Sequence, residues 1–136
     1  MNKTKTKKLT IKDFMAKKLA KEEKKNKIVE IPIFDGEVIE CKLPSQKEIF
    51  DATEDLGENS KTEDVVETYI PLIYKYCPMF KNKELEEACK EELGNLPKQY
   101  IVSKVFEYME IIKIGDEICK ATGADPKKLQ EEVKNS

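Results

Sequence analysis

Residues 28–43, IVEIPIFDGEVIECKL, alternate apolar and polar positions in a chain whose other apolar residues recur at helical spacing. Val29, Ile31 and Ile33 fall on one strand and Ile39, Cys41 and Leu43 on the next, so this stretch predicts a β-hairpin. A two-residue Asp35-Gly36 loop would set Ile31 opposite Glu40. A three-residue Phe34-Asp35-Gly36 loop, with Gly36 in the left-handed region, pairs Ile31 with Ile39 and Val29 with Cys41, which keeps one face apolar and is the register expected. Pro32 has no N–H to donate and marks an edge strand. A lone two-stranded hairpin is marginal in water, so the helices around it must supply its cover.

Those helices are punctuated by their own signals. LTIKDFMAKK opens with Thr10 as N-cap, Asp13 three residues on and Leu9 with Phe14 as a hydrophobic staple, leaving a stripe of Ile11, Phe14, Met15 and Leu19. PSQKEIFDATEDLGE has Ser45 and Glu48 as a capping box, Ile49, Phe50, Thr53 and Leu56 inward, and Gly57 as its stop. A helix capped by Ser60 or Thr62 follows, carrying Val65, Val66, Tyr69, Ile70, Ile73 and Tyr76, with Pro71 expected to kink it and Pro78 to end it. Residues 82–94 form an amphipathic helix from Asn82 to Gly94. One longer helix is expected from Pro97 to about Thr122, with Ile101, Val102, Val105, Phe106, Met109, Ile112 and Cys119 on one stripe and Gly115 as its break. Asp125 and Pro126 then open a short terminal helix.

The expected fold is α+β and mainly α: one hairpin at about 28–43 packed with four to six helices in a single small domain, spanning 28–124 of the 136 residues. A basic arm, 1–27, with a short helix from about residue 10, precedes it, and residues 125–136 follow as a short helix or tail.

Composition narrows the chemistry. The chain has no histidine, and all 25 basic residues are lysine, so the commonest general base and the bidentate guanidinium fork are both missing. Cys41, Cys77, Cys89 and Cys119 show no CxxC spacing and read as small buried hydrophobes in a reducing compartment. Acidic pairs such as Glu86-Glu87 and Glu91-Glu92 lie on lysine-interleaved helix faces, which reads as solvation rather than acid–base catalysis or metal binding. No glycine-rich phosphate loop is present. A binding or assembly protein without catalytic residues, cofactor or metal is therefore expected. No apolar run reaches the roughly 20 residues of a membrane span, and the N-terminus lacks a signal-peptide core, so a cytoplasmic protein is expected.

Charge divides the chain. Residues 1–27 carry eleven lysines against three acids, a net +8, whereas the remainder is net −10. Such an arm suits nonspecific nucleic-acid contact, and a small nucleic-acid-associated regulator is the alternative reading, but an acidic protein surface would serve it equally.

The order LTIKDFMAKK, a hairpin running into LPSQKEIFDATEDLGEN, VETYIPLIYKYCPMFKNKELEEA, and a final VSKVFEYMEIIKIGDEICKATG resembles the tail assembly chaperones of contractile-tailed phages and defective prophages, the XkdN-like family. The likeness covers about residues 9–123, and CPMF-x-x-KEL-x-x-A and EIIKIGDEI are its most specific pieces. It implies a noncatalytic protein that coats the helical tape measure protein, keeps it soluble until tail tube protein polymerises around it, and is absent from the finished virion. Binding such helices calls for an adaptable apolar surface, for which Phe14, Met15, Tyr74, Met79, Phe80 and Met109 are the candidates. The same residues also fit ordinary core positions. The likeness further implies a longer, frameshifted form of the chain as a partner, and PKK (Pro126 to Lys128) and VKN (Val133 to Asn135) are codable by the A-rich runs on which ribosomes slip.

Overall fold

A computed structural model describes residues 6–25 and 27–124 and shows a mainly helical α+β domain. In chain order the elements are α1 (Ile11–Lys24), β1 (Ile28–Pro32), β2 (Val38–Lys42), α2 (Gln46–Thr53), α3 (Thr62–Tyr76), a 3-10 turn (Pro78–Lys81), α4 (Lys83–Leu93), a second 3-10 turn (Lys98–Tyr100), α5 (Ile101–Val105) and α6 (Tyr108–Thr122). The expected terminal helix at 125–136 lies outside the described residues.

The hairpin has the register that its apolar face requires: Val29 opposes Cys41 and Ile31 opposes Ile39. Ile33 N–H donates to the Glu37 carbonyl at 2.9 Å, closing the three-residue loop, and within it both Asp35 (φ 54) and Gly36 (φ 79) take positive φ. The inner residues Ile31, Ile39 and Cys41 are buried and meet the helical layer, in which α3 packs on α6. α3 contributes Val66, Tyr69, Ile70, Leu72 and Ile73 to the core, and α6 contributes Ile111, Ile114, Ile118 and Cys119.

Capping explains most of the boundaries. Thr10 with Asp13 and Ser45 with Glu48 form the two expected capping boxes, and Asn82 Oδ1 accepts from the N–H groups of Glu84 and Leu85. The N-cap of α3 is Lys61 instead of Ser60 or Thr62: the Asp64 carboxylate accepts the Lys61 N–H at 2.8 Å while Ser60 Oγ is engaged by Gly57 N–H. It continues through Pro71, whose ring lies on the exposed face, and stops before Pro78. α2 ends at Thr53, four residues short of Gly57, and Phe50 is on its outer side.

The single helix expected over 97–122 is two helices. The break falls at Phe106, in extended conformation (φ −115, ψ 145), and not at Gly115. Glu107 then caps α6, its N–H donating to the Glu110 carboxylate at 3.0 Å. Restarting the helix rotates its inward face, so Ile111, Ile114 and Ile118 are buried while Met109 is solvent-facing. Gly115 is buried in the middle of α6, directly against the Tyr69 ring. Its missing side chain lets α3 and α6 come together, and Tyr69 Oη donates to Asp116 Oδ1 at 2.6 Å across the seam. At the far end, Gly123 (φ 82) and the Ala124 N–H to Cys119 carbonyl bond close α6, with Gln46 Nε2 on the Thr122 carbonyl at 3.0 Å.

The titratable groups of this frame set its pH limits. Burial opposes ionisation of Glu48, but the Lys75 ammonium and the Ser45 N–H and hydroxyl outweigh it and hold the carboxyl below its ordinary 4.5; Lys113 does the same for Glu117. Those contributions are present above about pH 4.5 and are lost as pH falls through the lower folded values. Tyr69 is pushed up by burial and by its bond to Asp116, and Cys77 by its contact with Cys41 and by burial. Their stabilisation is complete below the ordinary values of 10.0 and 9.0 and is lost as pH rises beyond them. With no histidine to titrate, thermal unfolding followed by circular dichroism should give a Tm that is flat from about pH 6 to 8 and falls on both sides. A step inside that window would contradict the assignment.

Candidate functional site

Pro78 ends α3 and the extended Cys77 (φ −110, ψ 97) turns the chain, so the following 3-10 turn directs Met79 outward and Phe80 inward. Phe80 meets Phe106 edge to face, with ring centroids 5.9 Å apart and planes at 75°. Phe106 can lie there because the α5–α6 break holds its backbone extended. Leu85 and Ala88 from α4, Val105 from α5 and Ile39 from the hairpin complete an open apolar groove of about 440 Å³, with Asn82 and Glu84 as its polar members. Met79 is 63% exposed and stands at its edge.

Phe80 also borders a second hollow of about 340 Å³, lined by Tyr74, Leu93, Leu96 and Ile101 with Glu86, Glu87 and Lys90. The Lys81 ammonium lies 5.5 Å from the centre of the Tyr74 ring beside it. A third hollow, about 430 Å³, separates the lysine-rich end of α1 from Leu43, Pro44 and the start of α2, and Lys17, Lys21, Lys24, Lys25 and Lys47 line it. The α2 N-terminus there is already served by the Ser45–Glu48 capping box.

The six candidate residues therefore divide. Met79 and Phe80 both border the apolar groove, but Phe80 is a core residue only 2% exposed, and Tyr74 lies half-buried in the hollow next to it. Met109 is 64% exposed on the first turn of α6, outside both linings. Phe14 and Met15 are on α1, 58% and 64% exposed, in a helix with no buried residue. Reading the sequence missed Phe106, Val105, Leu85 and Ile39 as groove residues. The available signal was the Glu107-x-x-Glu110 pairing, which announces a helix start immediately after Phe106.

Chemically the groove offers contact surface. The groups whose ionisation is displaced lie outside its lining, in structural pairs: Tyr69 with Asp116, Cys77 with Cys41, Glu48 with Lys75, Glu117 with Lys113, Asp13 with Thr10, Lys47 with Asp51, and Tyr100 with Glu67 at 2.6 Å, where the carboxylate raises the phenol. All four cysteines are buried free thiols. Among the described residues no three histidine, cysteine, aspartate or glutamate side chains converge as a metal site would require, and no helix is long and apolar enough to cross a membrane. Comparison with protein-family models, curated proteins and solved structures finds no match to this chain.

Proposed function

We propose that this protein is a noncatalytic tail assembly chaperone of a contractile-tailed phage or prophage, working in the cytoplasm of the bacterial host. The Phe80–Phe106 groove is the surface on which it holds amphipathic helices of the tape measure protein. The supporting observation is the groove itself: open, apolar, edged by the flexible Met79, and set in a chain with 38% charged residues. An apolar trough of this kind suits the i, i+3, i+4 side chains of a helix, and a methionine edge adapts to varied ones. The charged remainder keeps the complex soluble. Weak, repeated binding follows, so tail tube protein polymerising around the tape measure displaces the chaperone, which is absent from the virion. The order of segments, resembling that of the XkdN-like family, points the same way.

Coexpression with the tape measure protein of the same phage tests this. The expected result is a soluble tape measure that comigrates with the chaperone on a sizing column, and a Met79→Glu variant that folds normally but leaves it in the pellet. A tape measure that stays insoluble with both this chain and its frameshifted longer form would end the proposal. Salt-sensitive nucleic-acid binding lost with residues 1–27 would instead favour the regulator.

A further inference from the structure

The groove has a counterpart within the chain. α1 is a complete helix, fixed at its start by the Thr10–Asp13 capping box, yet none of its residues is buried. Its Ile11, Phe14, Met15 and Leu19 follow helical spacing and make one apolar stripe, all well exposed. A helix of 14 residues is marginal unless an apolar face is buried, so this one calls for a partner surface.

We propose that α1 of one copy docks its apolar stripe in the Phe80–Phe106 groove of a second copy, and that the exchange is reciprocal, giving a closed dimer. Charge selects this pairing. Residues 6–25 hold eight lysines against three acids. α4, which forms one wall of the groove, holds five glutamates against two lysines, and Glu107 directly follows Phe106. Joining α1 to another α1 would bring two lysine-rich helices together, whereas joining it to the groove brings opposite charges together. The helix does not cover its own groove: its lysine-rich end faces Leu43, Pro44 and Thr122. Only three residues separate α1 from β1, a tether of about 10 Å at full extension, which restricts folding back within one chain. A reciprocal exchange uses both surfaces of both copies and closes, which limits the assembly to a dimer. The inference requires no client protein and stands apart from the chaperone reading.

Sedimentation velocity on the purified full chain, from about 1 to 100 μM and at low and high salt, tests it. A dimer dissociating on the order of micromolar concentration is expected, weakened by salt because lysine–glutamate contacts contribute to it. A Phe14→Glu/Met15→Glu variant and, separately, Met79→Glu should each be monomeric, with dimerisation at least about tenfold weaker. All three sites are exposed, so each variant should match the wild-type chain in far-UV circular dichroism and Tm when both are compared below the dimerisation concentration, and fall short of it only above that concentration. Mixing the two variants leaves one intact helix and one intact groove, so a 1:1 heterodimer should form where neither associates alone. A wild-type chain that stays monomeric throughout, a dimer that survives the α1 substitutions, or variants that fail to complement each other would each overturn the proposal.

Discussion

Replacing Gly115 by alanine is expected to destabilise the domain by about 2–3 kcal/mol, lowering Tm by roughly 10 °C, although alanine is the better helix former by about 1 kcal/mol. A Cβ at this position would overlap Cγ and Cδ2 of Tyr69 and lie 2.6 Å from Cε2. Those atoms belong to a rigid ring, 4% exposed and tied through its hydroxyl to Asp116, so it cannot swing aside as a flexible side chain would. Either α3 and α6 separate or the ring leaves the core, and both sacrifice buried contacts. A double-mutant cycle in urea isolates the cause. Tyr69→Ala alone should cost about 3–5 kcal/mol, and in that background Gly115→Ala should be neutral or mildly stabilising, because the obstacle is gone and the helix propensity remains. An equal penalty in both backgrounds would show that the α3–α6 seam does not depend on this glycine.

The hairpin, the fold class and most helix starts could be read from the sequence because their causes are local. Alternation fixes which face of a strand is apolar, and only the register pairing Ile31 with Ile39 keeps that face together. Thr10, Ser45 and Asn82 reach backbone N–H groups within three residues, so their caps are visible without tertiary knowledge. The α5–α6 break was harder. Val102, Val105, Phe106 and Met109 keep helical spacing straight across it, and apolar periodicity outweighed the quieter Glu107–Glu110 pairing. The role of Gly115 is hidden from the sequence for a related reason. A glycine in a helix pattern weakens the helix when taken alone, and only the Tyr69 ring from a helix 46 positions earlier explains why it is there.

The candidate site was less legible because it has no local cause. The groove needs the turn after Pro78 to deliver Phe80, the break before Glu107 to deliver Phe106, and the hairpin to deliver Ile39. Each is an ordinary apolar residue, and only tertiary placement shows that the buried Phe80 and Ile39 and the half-buried Phe106 come to border an opening as well as the core. The methionines illustrate this: Met79 borders the groove while Met109 faces solvent beyond it, though both follow a break in helical structure by a similar distance. The Met and aromatic composition therefore signalled an adaptable surface without locating it.

Ile73→Ala should have the other large effect, about 3–4 kcal/mol, against a total stability for a domain of this size of roughly 5–15 kcal/mol. Ile73 is wholly buried on α3, the helix that touches α2, α5, α6 and both 3-10 turns, so no single neighbour can move to fill the space left by its branched side chain. Met79→Ala and Met109→Ala are the matching controls. Both remove side chains of comparable size, yet each is more than 60% exposed, and each should change stability by less than about 0.5 kcal/mol. Chemical denaturation of the three variants at a protein concentration below that of dimer formation makes the comparison, since a groove filled by α1 of a second copy would lend Met79 stability that the monomer lacks. A Met79→Ala penalty that appears only at high concentration would therefore report the docked helix, and a penalty of the Ile73 size at every concentration would make the groove part of the core. The division between residues that hold the fold and residues that await a partner rests on that difference.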